Sequence, residues 1–171
     1  MRAAYADPPY IGLAWRYKDQ PVCAEVDHAD LIARLGREYD CWALSCHTPS
    51  LKAILAMCPD DVRVMAWIKP FCSFKPGVGV AYAWEPLILC GGRKRTRAQG
   101  TVRDWCSESI TLRKGFIGRK PARLMYWLFD VMNLGRGDTL DDLYPGSGAV
   151  TEAWNAYQRK WKQDTLELVA G

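Results

Sequence analysis

A short turn near the start of the chain, Asp7-Pro8-Pro9-Tyr10, combines residue types that can bind an amino group. Consecutive prolines exclude helix and strand pairing, so they hold the backbone stiffly and leave its carbonyls as fixed acceptors. Such a carbonyl, beside the Asp7 carboxylate, offers two acceptors to an exocyclic amino group, which carries two N–H donors. Accepting both hydrogen bonds turns the nitrogen lone pair outward for an electrophile, while Tyr10 supplies a flat face for a heterocycle. For these four residues alone, a rigid loop without a chemical role is an equally good interpretation.

A second turn has the sequence Asp142-Leu143-Tyr144-Pro145-Gly146-Ser147-Gly148. Gly146 and Gly148 permit positive φ and close backbone approach, and a helix is predicted to begin near Ala149. These features favour a pocket for a nucleoside-bearing cofactor. A phosphate-binding P-loop is excluded because no lysine follows the glycines, and the Gly-x-Gly-x-x-Gly pattern of dinucleotide enzymes is absent. An ordinary strand-to-helix turn explains this segment alone nearly as well.

The elements that must position these turns follow from the periodicity of the apolar residues. The predicted strands are Arg2–Ala6, Cys41–Cys46, Val62–Ile68, Ala81–Cys90, Thr139–Tyr144 and Thr165–Val169. The predicted helices are Asp27–Glu38, Ser50–Met57, Pro121–Met132 and Ala149–Lys162. This alternation predicts a single α/β domain over residues 1–171, with a mostly parallel sheet covered by helices on both faces.

The predicted strand Ala81–Cys90 follows its predecessor across a loop rich in proline and glycine, without an intervening helix. We therefore expect it to run antiparallel near one edge of the sheet. Ligands of open parallel sheets bind where strands end, at their carboxyl ends. Both turns follow a predicted strand directly, so together they form the expected functional site.

The composition is that of a soluble globular domain, with 171 residues of which 49% are hydrophobic and 25% charged. Disorder, collagen-like repeats and a two-domain enzyme are poor interpretations of these values. The sequence shows neither a membrane-spanning run nor a secretory signal, so we expect a cytoplasmic protein. The seven cysteines are scattered without paired Cys-x-x-Cys motifs, which predicts reduced thiols and no metal site.

Positive charge is concentrated in residues 91–120, which contain nine Lys or Arg residues against the acidic Asp104 and Glu108. Phosphate neutralisation is the sequence-independent part of nucleic-acid binding, so this segment favours a polyanionic partner. A solvated loop is the alternative. The predicted phosphate contacts are Arg93, Lys94, Arg95 and Arg97.

The two turns together resemble those of the amino-methyltransferases that use S-adenosylmethionine (SAM) to methylate adenine N6 or cytosine N4. The order is the permuted one, in which the catalytic motif precedes the cofactor motif. Asp7-Pro8-Pro9-Tyr10 matches the family's Asp-Pro-Pro-Tyr, whose tyrosine favours adenine, and residues 142–148 match its Asp-Pro-Phe-x-Gly-Ser-Gly. Gly118-Arg119-Lys120-Pro121 is similar to the family's Lys-Pro motif. Trp67–Pro70 and Trp84–Ile88 resemble the two strands that lie between these motifs.

The resemblance implies a single Rossmann-like methyltransferase domain that methylates the exocyclic amine of adenine in DNA, with SAM as cofactor. The implied catalytic residues are Asp7, Pro8, Pro9 and Tyr10. The implied cofactor-binding residues are Asp142, Leu143, Tyr144, Gly146, Ser147, Gly148, Lys120 and Pro121. Residues 91–117 form a short basic connection in place of the family's target-recognition insert, and this shortness predicts a homodimer or a larger assembly.

Alternative functions remain open at the level of sequence. A methyltransferase of a free or modified nucleotide, of RNA or of a protein amide would need no recognition insert. A catalytically silent cofactor-binding subunit is a third interpretation, although the intact Asp7 and glycines count against it. Among the other residues, His47 is interpreted as a loop histidine, His28 as a helix cap, and Trp15 and Tyr17 as candidates for a substrate lid.

Overall fold

The computed structural model describes residues 1–17, 24–71, 77–111 and 119–169, and gives the backbone alone for residues 160–169. Within these residues, six strands form one sheet in the order β5-β3-β4-β2-β1-β6. The strands are β1 (Arg2–Ala6), β2 (Cys41–Ser45), β3 (Arg63–Ile68), β4 (Trp84–Gly91), β5 (Trp105–Ser107) and β6 (Thr139–Asp142). Strand β4 is antiparallel to β2 and β3, and the other neighbouring pairs are parallel.

The centre of the sheet is built from short continuous apolar runs. Residues Ala3 to Ala6 of β1 are fully buried, and every residue of β2 is buried. Strands that are covered on both faces have this character because neither face meets water. This pattern explains why β1 and β2 could be predicted from the sequence almost to the residue.

Helices pack on both faces of this sheet, as predicted. Helices α1 (His28–Glu38) and α2 (Leu51–Leu55) cover one face, where Leu31, Ile32, Leu35 and Ile54 pack with Ala4 and Trp42. Helices α3 (Ala122–Met132) and α4 (Ala149–Val169) cover the other, where Leu124, Leu128, Phe129 and Trp154 pack with Ala3 and Tyr5. The N-cap of α1 is Asp27, whose side chain accepts from the Asp30 N–H at 3.0 Å, so the predicted capping role of His28 is wrong.

The antiparallel direction of β4 is confirmed, and the strand lies third from the β5 end because β3 and β5 pair beyond it. The predicted strand Thr165–Val169 is wrong, since these residues continue helix α4. No glycine or proline interrupts residues 149–169, so nothing in the sequence ends the helix after Lys162. Strand β5 was not predicted because three residues carry too little periodicity. None of the described helices is long and apolar enough to cross a membrane.

Candidate functional site

The two predicted turns meet at the carboxyl end of the sheet, the end at which β1, β2, β3 and β6 terminate. Strands β1 and β6 are parallel neighbours, with Tyr5 paired to Asp142. The Leu143 N–H donates to the Tyr5 carbonyl at 3.0 Å, which extends this pairing into the second turn. Asp7 therefore begins the first turn beside the point at which Asp142 ends its strand.

A buried ionic cluster lies next to the first turn. The Lys120 ammonium is 3.0 Å from Oδ1 of Asp7 and 2.7 Å from Oε1 of Glu85. The Lys69 ammonium lies 2.7 Å from Oε2 of the same glutamate, and the Tyr10 hydroxyl donates to its Oε1 at 2.5 Å. Glu85 thus connects the first turn to the end of β3 and to the segment that precedes α3.

Local structure explains why these groups converge. Strand β4 is antiparallel, so it begins at the carboxyl end of the sheet, and Glu85 is its second residue. Its side chain lies on the same face as Leu87 and Leu89, which pack with α3 and α4. Lys120 stands directly before the N-cap of α3, Pro121, whose ring fixes the entry of the chain into that helix.

The charges of the cluster shift the pKa values of its members in opposite directions. Burial raises the pKa of Glu85, but Lys120 and Lys69 overcome this effect and lower it to about 2. Burial raises the pKa of Asp7, Lys120 opposes the rise, and the neighbouring Glu85 charge adds to it. Burial lowers the pKa of Lys120, but Asp7 and Glu85 hold it well above its ordinary value. The cluster therefore keeps Glu85 ionised and leaves Asp7 a stronger base than an ordinary aspartate.

One oxygen of Asp7 remains available for a ligand. Its side chain is 23% exposed, and Lys120 occupies Oδ1. Among the described residues, no donor binds the other oxygen, Oδ2. The carboxylate can thus accept a hydrogen bond from a ligand without giving up its contact with Lys120.

The Tyr10 ring is held on one side by His47, with ring centroids 5.1 Å apart and planes 9° from parallel. Ser50 fixes this histidine through a 2.8 Å hydrogen bond to Nδ1. His47 follows β2 at the carboxyl end of the sheet and so contributes to the site rather than to a remote loop. The hydrogen bond to Glu85 and the His47 stack together fix the orientation of Tyr10.

The second turn contains an unsatisfied acceptor. Oδ1 of Asp142 is buried and has no hydrogen-bond partner among the described residues, and burial raises the pKa of this carboxyl to about 6. Gly146 and Gly148 have φ values of +45° and +74°, and helix α4 begins at the next residue. A Cβ at Gly148 would meet no atom within 4 Å, so the backbone there borders open space. A buried lone acceptor beside an open glycine turn fits a ligand that carries N–H or O–H donors.

The other predicted cofactor-binding residues have distinct positions. Leu143 and Tyr144 are partly buried against the core of α1 and α2, while Ser147 lies between the two glycines at the surface of the turn. Lys120 is bound to Asp7 and Glu85, which places it beside the predicted catalytic turn. Pro121 serves as the N-cap of α3.

The predicted nucleic-acid residues lie at the opposite, amino end of the sheet. They follow Gly91, which pairs with Cys41, the first residue of β2. The Arg93 guanidinium forms hydrogen bonds of 2.9 and 3.0 Å to Asp138, and Arg95 donates to the carbonyls of Gly100, Asp130 and Gln99.

Two residues of the basic run, residues 93–97, remain open to solvent. Lys94 and Arg97 are exposed and have no ion pair within the described part of the chain. Arg97 also lines a cavity of about 630 Å³ at this end of the sheet, together with Arg63 and Asp61. The basic run thus contributes two structural arginines and two free cations.

Glu85 and Lys69 belong to this site but are not among the site residues predicted from the sequence. A signal was present, because Glu85 is a lone charge inside the apolar run Trp84-Glu85-Pro86-Leu87-Ile88-Leu89. A charge buried in a strand needs an ionic partner. Lys69 follows the preceding apolar strand, in which Trp67 pairs with Glu85.

Comparison with known proteins gives a fold but no family. No family model matches the chain, and no curated protein matches it. The crystal structure of the M1.HpyAVI–SAM complex is similar, with a TM-score of 0.64 and 14% sequence identity over 92% of this chain and 78% of that one. At this identity, the likeness shows that the two chains share a fold.

Proposed function

We propose that this protein is a SAM-dependent N-methyltransferase that acts on the exocyclic amino group of adenine in DNA. The observation that carries the proposal is the meeting of two turns, Asp7–Tyr10 and 142–148, at the ends of adjacent parallel strands. One turn offers acceptors for an amine, and the other offers an unsatisfied acceptor beside open backbone. M1.HpyAVI, which shares the fold, was crystallised in complex with SAM.

The second turn fits the cofactor on chemical grounds. SAM carries an α-ammonium group and ribose hydroxyls, all of which can donate to the lone oxygen of Asp142. Gly146 and Gly148, which carry no side chain, leave room for it to approach the backbone. When bound, SAM supplies an electrophilic methyl group on a sulfonium centre. Leu143 and Tyr144 would border it on the side of α1 and α2.

The first turn orients the acceptor amine. Oδ2 of Asp7 and the Pro8 carbonyl each accept one N–H, which directs the nitrogen lone pair away from both oxygens. The adenine ring lies against Tyr10, whose orientation is fixed by Glu85 and His47. An amine held in this way is already oriented toward the methyl carbon, and this preorganisation lowers the activation barrier of methyl transfer.

Proton release completes the step. The N–C bond forms from the amine lone pair as the C–S bond breaks, and the methylated nitrogen then loses one proton. Asp7 is the acceptor in contact with that nitrogen, and its raised pKa makes it a better base than a free aspartate. Lys120 stays bound to the other oxygen and stabilises the carboxylate.

The proposed binding of DNA also involves the basic run. Of the four predicted phosphate contacts, Lys94 and Arg97 have free charges, whereas Arg93 and Arg95 are bound to protein groups. We place the phosphate contacts on the first two, and we propose a homodimer or larger assembly because the connection 91–117 is short. The expected compartment is the cytoplasm.

The test is methyl transfer from tritiated SAM to duplex DNA, single-stranded DNA, RNA and free nucleotides, followed by identification of the labelled nucleoside. The proposal predicts N6-methyldeoxyadenosine from a DNA polymer. Gly148→Val should abolish cofactor binding in calorimetry, because a β-branched residue is strained at φ +74°. Label in a free nucleotide without need for a polymer would overturn the DNA assignment, and unchanged SAM affinity in the variant would overturn the cofactor site.

A further inference from the structure

Among the described residues, the most exposed large aromatic side chains at the carboxyl end of the sheet are Trp15 at 65%, Phe71 at 56% and Tyr82 at 48%. We call them the aromatic rim. Trp15 lies in a short 3-10 helix, Ala14–Tyr17, that follows the catalytic turn. Phe71 is two residues beyond Lys69 and Tyr82 is three residues before Glu85 in the sequence. Each member of the aromatic rim thus lies within five residues of a site residue in the sequence.

Hydrogen bonds tie the rim to the site. The Leu13 N–H donates to the Tyr10 carbonyl at 2.8 Å, which anchors the segment that leads to Trp15. The Lys69 N–H donates to the Ala83 carbonyl at 2.8 Å, so Phe71 and Tyr82 flank the same pair of strand ends. From β1 to β3 the sheet spans three strand spacings, about 14 Å in all. That distance matches about four nucleotides at a stacked spacing of about 3.4 Å.

Among the described residues, the charge at this end is poorly suited to duplex phosphates. The Lys69 and Lys120 ammonium groups are bound to Glu85, and Arg119 is paired with Glu152 at 2.8 Å. The Arg16 guanidinium lies 5.3 Å from the Trp15 ring centroid, where it can accompany a stacked base. The free cations Lys94 and Arg97 lie at the opposite end of the sheet. The described part of the chain therefore offers an intact duplex around Asp7 few phosphate contacts, whereas unpaired bases can bind by stacking on aromatic faces.

We infer that the substrate is an unpaired DNA strand, whose bases on either side of the target adenine stack on Trp15, Phe71 and Tyr82. The inference rests on the proposed function and specifies the form of its substrate. An unpaired adenine needs no extrusion from a helix, so the enzyme is spared the free energy of base flipping. Stacking tolerates every base, so the rim supplies affinity with little sequence preference.

The experiment measures binding and methyl transfer on the same oligonucleotide in three forms: single-stranded, fully paired, and paired except for a loop that contains the adenine. Binding is followed by fluorescence anisotropy of a labelled strand in the presence of S-adenosylhomocysteine. The test variants are Trp15→Ala and Tyr82→Ala. Trp105→Ala is the matched control, because Trp105 is 39% exposed and has the Arg103 guanidinium 5.1 Å from its ring, yet pairs with Ala66 in the middle of β3.

The inference predicts tighter binding and faster transfer on the single strand and the loop than on the duplex. Each rim variant should weaken single-strand binding between about 5-fold and 100-fold, while Trp105→Ala and the SAM affinity stay unchanged. Equal or better use of the duplex, or an equal loss in the control, would overturn the inference and leave the proposed function intact. Rim-dependent binding of single strands without transfer would support the stacking surface and overturn the proposed function. An RNA strand of the same sequence is the fourth substrate, and preference for it over the DNA strand would keep the unpaired substrate and overturn the DNA assignment.

Discussion

Two buried carboxylates lie at opposite ends of the sheet, Glu85 at the carboxyl end and Asp138 at the amino end. Their residue exposures are 7% and 4%. In both, burial raises the pKa, and neighbouring groups overcome that effect and lower it to about 2. The cations are Lys120 and Lys69 at Glu85, and Arg93 with the Met1 amino group at Asp138.

The two clusters differ in what they leave available. Both oxygens of Asp138 are held, one by the Met1 amino group and Arg93, the other by Arg93 and the Gly135 N–H. At Glu85, by contrast, Lys120 also binds Oδ1 of Asp7. The other oxygen of Asp7, Oδ2, stays available for a ligand. Similar ion pairing therefore satisfies both oxygens of one carboxylate at the amino end and holds Asp7, with an unsatisfied oxygen, in place at the carboxyl end. The two clusters thus differ in one carboxylate oxygen without a described donor, which is present at Asp7 and absent at Asp138.

The largest expected effect comes from Lys120→Met, which removes the ammonium between Asp7 and Glu85. Breaking a buried ion pair by losing one partner costs about 3–5 kcal/mol of the free energy of unfolding. Urea denaturation measures this loss. Arg93→Met is the comparison at the amino end, and it should cost less because the Arg93 side chain is 46% exposed. Equal losses in the two variants would remove the contrast between the clusters.

Glu85→Gln separates positioning from stability. The variant loses the charge that holds Lys69 and Lys120, so we expect a loss of about 1.5–3 kcal/mol in stability and a lower kcat at unchanged SAM affinity. Because the Glu85 charge contributes to the raised pKa of Asp7, its removal should also shift the acidic limb of the kcat profile to lower pH.

Asp138→Asn is the control for Glu85→Gln. It should lose stability and keep both kcat and the position of the acidic limb, since Asp138 lies at the far end of the sheet. A pH profile that moves in the Asp138 variant, or stays fixed in the Glu85 variant, would contradict the positioning role.

A smaller effect is expected in the pH dependence of cofactor binding. The pKa of Asp142 is raised to about 6, and the ionised form is the better acceptor for the SAM ammonium. Affinity should therefore be full above this pH and fall as the pH is lowered through about 6. Asp142→Asn should weaken binding at pH 8 and flatten the dependence, as followed by calorimetry. An unaltered pH dependence in the variant would place the titrating group elsewhere.

The sequence was sufficient for the parts of the fold with strong local patterns. The apolar runs of β1 and β2 and the periodic helix α1 were predicted within one residue, and the two turns were placed at strand ends. The short β5 and the helical continuation to Val169 were not predicted, because three residues give no period and Thr165–Val169 suits either structure locally. The site was predicted as two motifs, but its ionic centre depends on β4 lying next to β2, a long-range pairing that no local pattern specifies.

The most direct test of the proposed role of Asp7 is the single-turnover rate of methyl transfer in Asp7→Asn and Asp138→Asn at saturating SAM. Both substitutions remove one negative charge from a carboxylate in a cluster, but only the first lies where the amine is held. We expect a loss of roughly ten to a few hundred fold for Asp7→Asn, as for one charged hydrogen bond, and the parental rate for folded Asp138→Asn. A parental rate in Asp7→Asn, or an equal loss in both variants, would contradict this role.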